Sequence, residues 1–127
     1  MRPDTQNWVN TALYDLETAR HMFTTRRYLY VVFMCHLALE KMLKAHVTEN
    51  LRTIPPRSHD LIYLTSRSGL TLPDTFLEFV GKINNASILT RYPDDLQQAL
   101  QEYPRSVVKS YLQQTEEIIQ WLHQTLS

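Results

Sequence analysis

The segment RYLYVVFMCHLALEKMLKAHVTE, Arg27 to Glu49, decides how the rest of this chain must fold. Tyr28, Val32, Cys35, Leu39, Met42 and His46 recur every three or four residues, which is one face of an α-helix. Tyr30, Phe33, Met34 and Leu37 extend the apolar surface around nearly the whole first half. A helix that is apolar all round must be covered by several neighbours. This helix is therefore expected at the centre of the fold, or in a subunit interface.

The flanking sequence supplies those neighbours. Trp8, Ala12, Leu16, Ala19 and Phe23 mark one face of a preceding helix, Asp4 to Phe23. Asn50 to Ser58 contains Pro55-Pro56 and reads as a loop. Ser58 is expected to cap a short helix, His59 to Ser66, which Gly69 ends. A further helix runs from Pro73 to about Leu89, with Phe76, Val80, Ile83 and Ser87 inward. Pro93 pushes Tyr92 out of the helical region. Residues 94–103 could be helix or loop. The last helix, Arg105 to Thr125, carries the stripe Val108, Tyr111, Thr115, Ile118, Leu122 and Leu126. The expectation is one all-α domain over residues 1–127, an up-and-down antiparallel bundle of four long helices plus one or two short ones.

Composition agrees. The chain has 127 residues, a length that suits one domain, and 43% of them are hydrophobic, enough for a core. Gly69 and Gly81 are the only glycines, so neither G-x-G-x-x-G nor a phosphate loop of the P-loop type can be written. Cys35 is the only cysteine, which excludes an intrachain disulfide and a cysteine zinc cluster, and its apolar setting reads as buried and inert. The five histidines, at 21, 36, 46, 59 and 123, include no i,i+4 pair. No metal or cofactor site is expected. No run approaches the ~20 apolar residues that span a bilayer, and the N-terminus lacks a signal-peptide core. A cytoplasmic protein with no membrane contact is the expectation.

Three groups could carry chemistry. His36, Glu40 and Lys44 share a helical stripe flanked by Lys41. That stripe reads either as a solvated face with an ion pair or as buried polar groups collected at a site. His59, at the start of a helix and after a loop with Arg52 and Arg57, reads as a surface residue or as part of an anion site at free backbone amides. Arg91 could grip a phosphate or carboxylate in bidentate fashion, or make a structural ion pair. Tyr92 could stack on a base or pack inward.

Taken together these residues resemble the HEPN domains (higher eukaryotes and prokaryotes nucleotide-binding) of prokaryotes. The resemblance runs from about Trp8 to Leu122. It rests on the opening Trp8, Ala12, Asp15, Leu16 and Ala19, and on Ala38-Leu39-Glu40-Lys41-Met42-Leu43-Lys44-Ala45, similar to A-x-E-K-x-L-K-A. Pro56-Arg57-Ser58-His59-Asp60-Leu61 is similar to the family's P-x-[ST]-H-D-L, and Thr90-Arg91-Tyr92-Pro93 to its A-R-Y-P, with Thr in place of Ala. The resemblance implies a helical bundle, commonly a homodimer, and often the partner of a separately encoded small nucleotidyltransferase, sometimes as a toxin–antitoxin pair. A second branch consists of metal-independent ribonucleases, marked by an Arg followed by a His four to six residues later. No Arg of this chain meets that spacing: Arg91 reaches Asp95 to Gln97, and Arg52 stands seven before His59.

The expected function is therefore a non-catalytic module that binds a nucleotide or other phosphate-bearing ligand beside a nucleotidyltransferase. His59, Arg91, Tyr92, Glu40, Lys41, Lys44 and Arg57 are the expected ligand-binding residues. The alternatives are a ribonuclease or toxin acting on RNA through His59, and a pure interaction adaptor or antitoxin. Charge allows the first. Thirteen basic residues balance thirteen acidic ones, but residues 20–67 carry a net charge of +5. That leaves room for a local anion site in a chain neutral overall.

Overall fold

The computed structural model describes residues 1–126, and those residues form six helices and no strand. They are α1 (Pro3–Thr24), α2 (Tyr28–Leu51), α3 (Leu61–Ser68), α4 (Asp74–Arg91), α5 (Leu96–Glu102) and α6 (Arg105–Gln124). The four long helices α1, α2, α4 and α6 make an all-α bundle, with α3 and α5 set in the connections. α2 is the hub and packs against each of the other five.

Local sequence explains most boundaries. Pro3 opens α1, where a missing N–H costs nothing, and Asp4 faces the positive end of its dipole. Arg26 turns the chain from α1 to α2 with φ +64, in the left-handed region. Val9, Ala12, Leu16 and Ala19 then bury against α2. The hydroxyls of Thr5 and Thr48, 2.7 Å apart, tie the start of α1 to the end of α2. On another side of α2, Nε2 of His46 donates to the Leu122 carbonyl of α6 at 2.8 Å.

Cover along α2 is uneven. Every residue from Met42 to Thr48 is buried, whereas Tyr30 is 58% exposed and Phe33, Met34 and Leu37 are half-buried. The all-round apolar pattern of the first half is thus not matched by all-round cover. The α3 region instead folds back over the later turns, where His59 reaches Glu40 and Asn50 donates to the Ser68 carbonyl.

Two sequence expectations are corrected, and two open readings are decided. The short helix starts at Leu61 rather than His59, and Asp60 rather than Ser58 is its cap. Asp60 Oδ1 accepts from the amides of Ile62 (3.0 Å) and Tyr63 (3.4 Å), while Ser58 Oγ accepts from the Asp60 amide (3.1 Å) and turns the chain before the helix. α4 continues to Arg91, and the restriction imposed by Pro93 acts only at Tyr92, with φ −132 and ψ 67. The stripe His36, Glu40 and Lys44 is not a solvated face: all three residues are buried. The ambiguous stretch before Pro104 holds α5, where Asp95 accepts from the Gln98 amide at 3.1 Å.

Candidate functional site

A cleft of about 320 Å³ opens between α2, the start of α3 and the end of α4. His36 comes from α2, His59 and Asp60 from the segment before α3, and Asn84, Ser87, Ile88 and Arg91 from α4, with Tyr92 just beyond it. The α4 residues recur every three or four positions, so one helical stripe forms that wall.

Glu40 organises the floor. It is 3% exposed on an apolar helix, and such a carboxylate needs partners on both oxygens. Oε2 accepts from Lys44 Nζ at 3.1 Å, and Oε1 accepts from His59 Nδ1 at 2.8 Å. A carboxylate can only accept, so His59 carries its Nδ1 proton and presents Nε2 outward from a ring 65% exposed. His36, 1% exposed, holds Nδ1 4.0 Å from Glu40 Oε1 and without a hydrogen-bond partner. Burial holds the His36 imidazole below the usual histidine range, Glu40 opposes that shift, and Arg91 adds to it. The ring is neutral near pH 7.

Arg91 forms the opposite wall. Its guanidinium lies over the Phe33 ring, 4.5 Å from the centroid. Nε and Nη2 are buried and have no hydrogen-bond partner. A guanidinium is always charged and carries five donors; Nε and Nη2 are closed off beneath the stack on Phe33, which leaves Nη1 as the nitrogen that an anion in the cleft meets directly. Thr90, which stands where the related motif has Ala, is buried and returns its hydroxyl to the Ala86 carbonyl at 3.1 Å. Tyr92 is 76% exposed and lies along the rim.

Asn84 closes the end of the cleft. Its Oδ1 accepts from the Leu61 amide (3.0 Å) and its Nδ2 donates to Asp60 Oδ1 (3.1 Å). With Ile62 and Tyr63 bonded to Asp60, the first three amides of α3 are satisfied within the protein. The free backbone amides that one of the two readings of His59 called for are therefore already taken. Any anion here meets side chains, not a helix end.

The expected site residues separate into two groups. His59, Arg91 and Tyr92 line the cleft, and Glu40 lies directly beneath His59. Lys41 and Lys44 do not line it. Lys41 pairs with Asp15 of α1 at 2.6 Å, and Lys44 bonds Glu40 while lying 5.6 Å from the centre of the Trp8 ring. Arg57 is exposed and outside the lining. The cleft also uses His36, which the sequence offered as a candidate but not as a ligand contact, and Asp60, Asn84 and Ser87, which were not among the candidates. A signal for Asn84 and Ser87 was present: they precede Arg91 by seven and four residues on one helix. Cys35 is fully buried, and burial pushes its thiol up to about 12. Among the described residues no cluster of three or more His, Cys, Asp or Glu is placed to hold a metal ion, and no helix is long and apolar enough to cross a membrane.

Comparison with known proteins places this arrangement. The sequence profile described as HEPN domain matches residues 5–125. The crystal structure of TT1696 from Thermus thermophilus is similar with a TM-score of 0.83 and 20% identity, covering 97% of this chain and 98% of that one. The crystal structure of ST0689, an archaeal HEPN homologue, is similar with a TM-score of 0.77 and 18% identity, covering 99% and 100%. At these identities the two structures establish the fold. No curated protein matches the chain.

Proposed function

This chain belongs to the HEPN domain family, and from that premise we propose that it is a binding module whose cleft takes the phosphate of a nucleotide. The observation that supports this most directly is Arg91, a guanidinium that lines the cleft and has no carboxylate paired with it among the described residues. In this reading Arg91 donates from Nη1 to a phosphate oxygen, and a small shift of the guanidinium along Phe33 brings Nη2 to a second, a fork geometry an ammonium lacks. His59 meets the ligand through the nitrogen that Glu40 leaves free, and Tyr92 stacks on the base. Lys44 and Lys41 act from behind, one neutralising Glu40 and the other fixing α2 to α1. Arg57 adds positive field at the exposed edge. The module works as a homodimer beside a separately encoded small nucleotidyltransferase, as the resemblance to the family implies.

Calorimetric titration with AMP, ATP and GTP tests the ligand half. Binding that is lost in Arg91→Ala and His59→Ala is expected, and no heat at millimolar nucleotide would overturn it. Affinity purification of the tagged chain from its native host tests the partner half; recovery of a small nucleotidyltransferase is expected.

One observation favours a second reading. A buried carboxylate that orients an exposed imidazole is the arrangement of a general base, and a guanidinium across the cleft could stabilise charge on phosphorus. A metal-independent ribonuclease would use them so. RNA cleavage in the presence of EDTA that disappears in His59→Ala would establish it, and the absence of cleavage by the unaltered chain would remove it.

A further inference from the structure

The cleft has a neighbour. Met22 of α1, Thr25 and Arg27 of the turn that follows, and Tyr30, Phe33 and Met34 of α2 line a second cavity of about 440 Å³. Phe33 belongs to that cavity, and the same ring carries the Arg91 guanidinium that lines the cleft. The Arg91–Phe33 stack therefore stands between the two cavities, one partner facing each.

Each cavity repeats the same elements. The cleft has an exposed tyrosine, Tyr92, and the guanidinium of Arg91. The second has an exposed tyrosine, Tyr30, and the guanidinium of Arg27. Neither arginine makes an ion pair among the described residues. Exposed rings interleaved with unpaired cations match the chemistry of nucleotides, because every base offers a face for stacking and every phosphate a negative charge. Arg91 at the cleft and Arg27 at the second cavity each bring a positive charge that attracts an anion. Either volume alone sits near the lower end of the roughly 300–1,000 Å³ that holds a drug-sized ligand, and together they fall well inside it.

We infer that the two cavities are halves of one site for a dinucleotide. The bridging phosphate lies on Arg91, one nucleoside occupies the cleft beside Tyr92, and the other occupies the second cavity between Tyr30 and Phe33, with Arg27 at its edge. This rests on the cleft being a phosphate site. It goes further in requiring two nucleosides, whether joined by a diester as in an oligonucleotide or by an anhydride as in a free dinucleotide. An apolar peptide laid in the second cavity would leave both guanidinium groups unmatched.

The test compares three probes on the full chain by calorimetry: AMP, the diester ApA and the anhydride diadenosine diphosphate. At least one dinucleotide is expected to bind about tenfold or more tighter than AMP, in keeping with the worth of one added base stack. The preferred one identifies diester or anhydride. Tyr30→Ala, at an exposed position where folding is checked by circular dichroism, should bring the ratio of dinucleotide to AMP affinity toward one, and Arg27→Ala should lower it several-fold. A ratio near one in the unaltered chain, or a ratio that Tyr30→Ala leaves unchanged, overturns the inference and assigns the second cavity to a protein contact, while AMP binding keeps the cleft reading intact. If neither AMP nor either dinucleotide binds, both readings fall.

Discussion

Nδ1 of His59 lies 2.8 Å from Oε1 of Glu40, so an exposed ring at the cleft is held by a carboxylate buried in the middle of the central helix. The other oxygen of Glu40 holds Lys44, and Lys44 lies over Trp8 on α1. A single chain of contacts therefore runs from the first helix to the cleft. Removing its middle should be costly, because Lys44 would keep a buried charge with no partner. Glu40→Ala is expected to lose about 3–5 kcal/mol of stability, read from urea denaturation. The double variant Glu40→Leu with Lys44→Met should recover most of that loss, since neither charge then remains buried.

Arg91 separates binding from folding. Its unmet donors add nothing to the native state, and the stack on Phe33 is worth only about 0.5–2 kcal/mol. Arg91→Ala should therefore unfold within about 2 kcal/mol of the parent. Nucleotide affinity should fall at least tenfold, because hydrogen bonds to charged groups contribute about 1.5–3 kcal/mol. Arg91→Lys should recover only part of it, since an ammonium lacks the planar fork. Calorimetry and denaturation on the same samples check both halves.

Two buried histidines set the response to acid. Burial holds His36 and His46 below the ordinary value of 6.5, so the folded state resists protonation while the unfolded chain accepts it. The unfolded state then binds more protons, and stability rises with pH in that window. Stability should be full above about pH 6.5 and should fall as pH drops through that value toward the lowered folded ones, by up to ~1.4 kcal/mol per unit for each histidine. Denaturation midpoints at pH 7.5, 6.5 and 5.5 check the sign, and His46→Gln should reduce the slope. His46 must also carry its proton on Nε2, since the Leu122 carbonyl can only accept, and nitrogen NMR should report that tautomer.

Arg52 ends α2 with φ +54, a left-handed conformation that costs a residue with a Cβ about 1–2 kcal/mol. Glycine adopts it freely. Arg52→Gly is therefore expected to raise stability by roughly 1 kcal/mol, net of the entropy glycine adds to the unfolded chain. A higher urea midpoint with an unchanged slope would show it.

Much of the fold was legible. The stripe through Tyr28, Cys35, Leu39 and Met42 located α2, and the prolines at 55, 56, 73, 93 and 104 marked where helices cannot continue. The cap of α3 was misread because Ser58 and Asp60 both have the chemistry of a cap, and only the backbone path decides which one faces the free amides. The burial of Glu40 and Lys44 was open for a related reason. An i,i+4 ion pair has the same spacing on a wet face and a covered one.

The sequence by itself determined which residues share a helical face and in what order the motifs occur, because helical phase follows from local spacing alone. It placed Glu40, Lys41 and Lys44 on one side of α2 and aligned Asn84 with Arg91 on α4. Only the tertiary structure decided what those faces meet. Lys41 and Lys44 turn to Asp15 and Trp8 of α1, while Glu40 turns to His59 and Arg91 turns to Phe33. A helix that is apolar nearly all round has no inside written into its own pattern. Which polar side chain becomes strut and which becomes cleft wall is fixed when distant helices close over it, since a buried charge stays where a partner reaches it.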